Sequence, residues 1–407
     1  MKIAVITNLY PPYARGGAEQ VARRLVNEMT LGGHQVFVIS TVPYRGWRAF
    51  LKSRGWRAHL TEHEPVPVYR FGPWNLYHLL NSHRFPVIVR LLWHVIDLLS
   101  PLPAWEVRKI LKQERPDLVI THNLKGLGLP IARDVQKQGY KHIHTVHDVQ
   151  LSIPSGLLIF GQERSWINRS PFRYFYEVLV KRAIGRPNLV LCPSMFLARF
   201  HRERGFFQHS RVEVLPNPAP KMKFVQRKPY DPKILNILYA SQIESAKGFL
   251  FLKSALEKFD RPFKLHIAGE GVLSQLAAQW AEQDPRVVYH GYVSFENLVH
   301  LFEISDVIVV PSLCYEGSPS IIYESFQAGI PVVASRLGGV GELVQYGKNG
   351  YLVDTGNVES LLSALKKVAD DVDNFQGRSE EIKATVELYR VDRYLARLEN
   401  LIKETCS

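Results

Sequence analysis

Two glutamates eight positions apart, Glu316 and Glu324, lie in VVPSLCYEGSPSIIYESFQAGIPVVAS, residues 309–335. The apolar run before them reads as a buried strand ending at Pro311. Gly317 follows in the loop. Ser318, Pro319 and Ser320 then read as a helix start, with proline near the first turn. Glu324 falls about one turn inside that helix, Gly329 ends it, and Pro331 opens the next strand. A helix that begins at a strand end offers unpaired N–H groups to an anion. Here one carboxylate sits in the loop and a second in the first turns.

Three other segments pair reactive residue types with strand ends. In ILYASQIESAKGF, residues 237–249, Lys247-Gly248 open the next helix, and a lysine there aims a mobile cation at a phosphate. In PPYARGGAEQVARRL, residues 11–25, Gly16 and Gly17 precede a helix and let backbone approach a ligand closely. The spacing is not G-x-G-x-x-G, so a dinucleotide fingerprint is absent. In HTVHDVQ, residues 144–150, His147 and Asp148 follow a strand, as His122 and Asn123 follow the strand before it.

The elements that position these residues alternate. Strands are predicted at 2–8, 35–40, 66–71, 118–123, 142–148, 189–194 and 212–216, with helices at 84–113 and 173–184 among those between them. A proline-rich stretch, 216–233, reads as a linker. The alternation then restarts with strands at 234–241, 264–268, 287–292, 307–311, 331–335 and 350–353. Short apolar, β-branched runs separated by helices predict parallel sheets. Two Rossmann-like domains of α/β class follow, with ligands expected beyond the carboxyl ends of the strands, in a cleft between the domains. The boundaries are drawn at 1–217 for an acceptor-side domain, 218–385 for a donor-binding domain, and 386–407 for a C-terminal helix returning to the first.

In these motifs the sequence resembles the family 4 retaining glycosyltransferases, which have the GT-B fold. The family signature is a Glu, seven residues and a second Glu, then Gly, Pro and a Val-rich strand. Glu316, Glu324, Gly329, Pro331, Val332 and Val333 match it. The resemblance implies a nucleoside-diphosphate sugar as donor, with Glu316 at the reacting sugar and Glu324 on the ribose. A carboxylate can accept two hydroxyl hydrogen bonds, which suits both tasks. Gly317, Ser318, Pro319, Ser320 and Gly269, the last in the loop AGEGVL, join the implied donor site. Lys247 and Gly248 match the family's Glu-Lys-Gly. Gln242 stands where the family has arginine, and Ala246 where it has the glutamate. The missing arginine removes one fixed positive charge from the diphosphate site: either another cation substitutes, Arg15 in the first loop being a candidate, or donor binding is weaker or different. The Gly16-Gly17 loop and His147 match family positions near donor and transferred sugar. His122, Asn123, Asp148 and Arg15 are assigned to the acceptor side. No cation-binding Asp-x-Asp sits at a strand end, so the implied enzyme is metal-independent and needs no cofactor. Its implied setting is polysaccharide, lipopolysaccharide or glycolipid synthesis. The alternatives are a degenerate nucleotide-sugar-binding protein, kept open by Gln242, and a GT-B sugar epimerase.

Composition narrows the rest. The chain has 407 residues, 46% hydrophobic and 22% charged, which excludes a disordered or fibrous chain. Cys192, Cys314 and Cys406 make no metal or disulfide pattern, so a cytoplasmic protein is expected. The net charge of +13 is one-sided: residues 1–215 hold 30 Lys+Arg against 14 Asp+Glu, and residues 216–407 hold 21 against 24. Nucleic-acid motifs are missing. The basic half, the amphipathic stretch 85–99 and the aromatic-basic run 170–186 fit a glycan or lipid-linked acceptor and peripheral contact with an anionic membrane.

Overall fold

The computed structural model describes residues 1–14, 16–44, 55–73, 75–222 and 233–406. Arg15 and residues 223–232 of the expected linker lie outside the described residues. The chain forms two compact units. The first comprises Met1–Gly156, Trp166–Pro218 and Tyr394–Ser407. The second comprises Leu157–Ser165 and Ala219–Arg393. The boundaries read from sequence therefore shift from 217 to 218 and from 385 to 393, and nine residues of the expected first domain, 157–165, belong to the second unit.

The first unit is built on eight strands: β1 (Lys2–Ile6), β2 (Gln35–Thr41), β3 (His59–His63), β4 (Val66–Phe71), β5 (Leu118–Thr121), β6 (Lys141–Thr145), β7 (Leu189–Cys192) and β8 (Arg211–Val214). Their order is β3-β4-β2-β1-β5-β6-β7-β8. All neighbours pair in parallel except β3, which runs antiparallel to β4. Residues of β1 such as Ile3 and Val5 are fully buried, as expected for a strand covered on both faces. β3 was not expected. Its sequence, HLTEH, has no apolar run, because an edge strand needs little burial.

The helix predicted over 84–113 is two, Val87–Leu99 and Leu102–Glu114. Pro101 divides them: it disfavours helical geometry at Ser100, whose ψ is 121°. The C-terminal helix Val391–Cys406 buries Tyr394, Leu398, Leu401 and Ile402 in the same core as Ile3, Val26 and Leu118. That i, i+4, i+7, i+8 spacing is one helical face. Leu388, within the span 386–407 expected to be helical, is exposed and lies in a 3₁₀ turn.

The second unit holds β9 (Leu235–Ala240), β10 (Phe263–Ala268), β11 (Val287–Gly291), β12 (Val307–Val310), β13 (Val332–Ser335) and β14 (Gly350–Val353). Their order is β11-β10-β9-β12-β13-β14, parallel throughout. Both sheets change winding direction beside their first strand. That switch lies between β1 and β5 in the first unit and between β9 and β12 in the second. Parallel sheets open a crevice at the strand ends there.

Candidate functional site

In the second unit, the loops after β9 and β12 meet at the switch. The β12 loop carries Ser312 to Ser318, and Pro319 is the N-cap of the helix Ser320–Gln327. The Nζ of Lys247 donates to Glu316 Oε1 at 2.8 Å, and Ser312 Oγ donates to the same oxygen at 2.6 Å. Both Lys247 and Glu316 keep a fifth or less of their side-chain surface exposed. Burial pulls the Lys247 ammonium down, but the adjacent Glu316 carboxylate outweighs it, and the net shift is upward. Lys247 therefore carries its charge at neutral pH.

Backbone contacts fix this pair. Lys247 ends a 3₁₀ turn, Ser245–Lys247, rather than starting a helix as its sequence suggested. The helix begins at Phe249, capped by Gly248 at φ 76°. A Cβ on Gly248 would overlap the carbonyl of Pro311, at the end of β12. Leu313 and Cys314 both donate their N–H to the Ala246 carbonyl, at 2.9 and 3.1 Å. The buried Tyr239 Oη donates to the Gln242 and Lys247 carbonyls, at 3.1 and 3.3 Å. On the far side, Gly339 N–H donates to the Glu316 carbonyl at 2.8 Å, and a Cβ on Gly338 would overlap that same oxygen. Four stretches of chain therefore converge on the pair.

Other expected residues take distinct places. Ser318 Oγ and Tyr323 Oη hydrogen-bond at 2.6 Å across the helix start. Glu324 is buried within the helix. Gly269, at φ 135°, lies where a Cβ would overlap the Ser241 carbonyl, which brings the β10 and β9 loops together. The Gln242 side chain is exposed beside this loop. Segment 157–165 also reaches the β12 loop. Ile159 bridges Cys314 in antiparallel fashion, and Phe160 N–H donates to the Leu313 carbonyl at 2.8 Å. Tyr315 N–H donates to the Leu158 carbonyl at 2.9 Å, and its Oη donates to Glu163 Oε1 at 2.9 Å.

In the first unit, the loops after β1, β5 and β6 gather at the other switch. Gly16 caps the helix Gly17–Leu31, so Gly17 begins the helix rather than preceding it. A Cβ on Gly16 would crowd the carboxylate of Glu19, a buried residue that sequence reading passed over. Burial raises the pKa of Glu19, with a smaller contribution from Asp148. His147 Nε2 lies 2.9 Å from His122 Nδ1, and their rings stack.

His122 is fully buried and was expected to touch an acceptor directly. It stacks on His147 and lines the same cavity. Burial holds both rings neutral, His147 pushed down to about 4. His122, His147, Asn123, Asp148 and Gln150 line a cavity of about 20 Å³, room for one water.

Lys125 lies between two carboxylates and was not anticipated. It donates to the Pro154 carbonyl at 3.1 Å and feels the charges of Asp148 and Asp97. Asp97 accepts from Gly126 N–H at 3.0 Å, and burial pushes it up to about 7. Asn123 turns its Oδ1 to the Lys125 N–H at 3.2 Å. Isolated charges in a helix or loop carry no sequence signal that would have joined them.

The family model for Glycosyltransferase Family 4 matches residues 15–220, and that for Glycosyl transferases group 1 matches 235–371. An Escherichia coli UDP-Gal:alpha-D-GlcNAc-diphosphoundecaprenol alpha-1,3-galactosyltransferase is 35% identical over 307 residues, 70% of this chain and 74% of that protein. A Salmonella typhimurium lipopolysaccharide 1,2-N-acetylglucosaminetransferase is 26% identical over 53% of this chain and 61% of its own length. Among solved structures, sucrose-phosphate synthase from Thermosynechococcus elongatus aligns with TM-score 0.77 at 17% identity, covering 99% of this chain and 98% of that one. Anabaena HepE in complex with UDP-glucose aligns with TM-score 0.69 at 18% identity, over 99% and 100%. These structures share the GT-B fold with this chain.

Proposed function

The chain belongs to glycosyltransferase family 4, and from that premise we propose that it moves a sugar from a nucleoside-diphosphate donor to a hydroxyl acceptor with retention of anomeric configuration. The acceptor is a glycan or lipid-linked sugar in cell-surface polysaccharide or lipopolysaccharide assembly. The names of the E. coli and Salmonella relatives and the UDP-glucose in the Anabaena structure support this reading.

The observation that carries it is the Lys247–Glu316 pair at the β9/β12 switch. Lys247 supplies the cation for the leaving diphosphate, and the N–H groups at the start of the helix Ser320–Gln327 add to it. Preorganised charge of this kind lowers a barrier without reorganisation during reaction. Glu316 is assigned to the reacting sugar and Glu324 to the ribose. Gly269 keeps the β9 and β10 loops close together, Gly317 is assigned to the donor, and Ser318 and Ser320 beside Pro319 offer hydroxyls and N–H groups. Gly16, Gly17 and His147 are assigned to donor and transferred sugar, and Asn123 and Asp148 to the acceptor. In this reading no metal takes part, because a lysine supplies the cation.

Calorimetric titration with UDP, GDP and ADP tests the donor. One nucleotide binds, and Glu324→Ala weakens it at least ~10-fold, about 1.4 kcal/mol. No binding of any nucleotide at about 1 mM, a Kd that corresponds to about 4 kcal/mol, overturns the reading. NMR of the first-formed product tests retention, and an unchanged rate in chelator tests metal independence.

A further inference from the structure

The first unit carries an apolar surface that its own fold leaves uncovered. Ile88, Leu91, Leu92 and Val95 form one stripe on the helix Val87–Leu99, each more than half exposed. The helix Pro171–Ile184 packs against it and presents Phe172 and Phe175, 76% and 65% exposed, with Trp166 just before it at 75%. Scattered apolar residues need no explanation, but adjoining stripes of this size do.

The opposite face of the first helix is already committed. Trp93 is buried and its Nε1 donates to the Tyr77 carbonyl at 2.8 Å, while the buried Asp97 accepts from Gly126 N–H. The exposed stripe is therefore the outward one. Thirteen residues rise only about 20 Å, short of the ~30 Å hydrocarbon core. A helix with one face locked into a folded unit lies along an interface rather than across it.

The charges around the stripes have one sign. Within 84–113 the acidic residues are Asp97 and Glu106, and within 166–186 there is Glu177; all three are buried. Arg84, Arg90, Lys112, Arg169 and Arg182 are exposed. A second copy of the chain would set this basic rim against itself, whereas an anionic surface complements it.

We propose that this face docks the protein on an anionic lipid bilayer. The apolar stripes enter the boundary between headgroups and acyl chains, and the arginines engage lipid phosphates. The proposal does not depend on the glycosyl-transfer reading.

The test is co-sedimentation of the full chain with phosphatidylglycerol–phosphatidylcholine vesicles and with phosphatidylcholine vesicles alone. Binding is expected to favour the anionic vesicles and to weaken as salt rises. The double substitution Leu91→Gln/Leu92→Gln and the pair Arg90→Glu/Arg169→Glu should each weaken binding at least ~10-fold. Because these positions are exposed, thermal melts of both variants should match the parent, so that a loss of binding is not a loss of fold. Absence of sedimentation overturns the proposal, as does equal binding by the variants. A concentration-dependent dimer that the leucine substitutions abolish, with no lipid binding, assigns the face to a second copy and overturns it too.

Discussion

The two switch regions share a topology and solve opposite electrostatic problems. Beside β9 and β12, Lys247 keeps its charge because Glu316 is its partner, and backbone contacts from four stretches of chain hold the pair. Beside β5 and β6, His122, His142, His144 and His147 stay neutral because burial removes the water that would stabilise a charge. A fixed ion pair suits stabilisation of charge that moves during a reaction. Neutral, stacked imidazoles suit shape and hydrogen-bond direction. The same crevice in a parallel sheet can thus be furnished for field or for form.

The comparison is broken most directly at Glu316. Glu316→Gln keeps an acceptor for Lys247 but removes the negative charge. Turnover should fall by about 10²–10³ while nucleotide affinity stays within about threefold. Steady-state kinetics and calorimetry on the same variant check this. Unchanged turnover would remove Glu316 from the chemistry, and lost affinity would make it a binding residue.

Acid should separate the regions next. His122, His142, His144 and His201 are almost wholly buried in the first unit, with His142 lowered to about 3 and His201 to about 4. Below about pH 6.5 the unfolded chain binds protons at these rings that the folded chain refuses. Stability is therefore complete above that pH and lost as pH falls toward 4. At pH 5.5 His142 and His201 each cost about 1.4 kcal/mol, and His122 and His144 act in the same direction. Asp97, raised to about 7, opposes this by about 2 kcal/mol. The rings outweigh the carboxyl, and stability falls. Residue-resolved hydrogen exchange at pH 7.5 and 5.5 should show it in β5 and β6 well before β9 and β12. Uniform loss across both sheets would contradict the contrast.

Lys247→Met should raise the nucleotide Kd about 10- to 100-fold, the worth of a charge-assisted hydrogen bond plus an unpaired Glu316. Calorimetry measures it, and an unchanged Kd would move the diphosphate elsewhere. The smallest effect is expected at Gly248. Alanine there meets both a left-handed φ and the Pro311 carbonyl, at a cost of about 2 kcal/mol. A fall in Tm of about 4–8 °C follows for a unit of this size. A smaller shift would show that the loop relaxes.

The sequence made one switch region far more legible than the other. Glu316, Lys247 and the helix start at Ser320 sit at strand ends in fixed order, so strand prediction alone brings them near each other. Gln242, at the family's arginine position, was equally visible. What sequence could not show is direction. His122 and His147 both follow strands, yet only the tertiary structure stacks them on the wall of one cavity. Lys125 and Asp97 meet through tertiary packing, with no shared motif. β3 was hidden because its edge position removes the apolar pattern that strand reading depends on. The break at Ser100 was written in Pro101, but the strong apolar run around it masked the signal.

The path of the chain has a practical consequence. It passes between units at 156/157, 165/166, 218/219 and 393/394. A cut at 217 would strand Leu157–Ser165 on the wrong fragment and deprive the β12 loop of its antiparallel neighbour. It would also leave the first fragment without Tyr394 and Leu398. A chimera meant to exchange the second unit with that of a relative must therefore transplant 157–165 together with 219–393. Heredity of the second unit is discontinuous in the gene, though it is continuous in the fold.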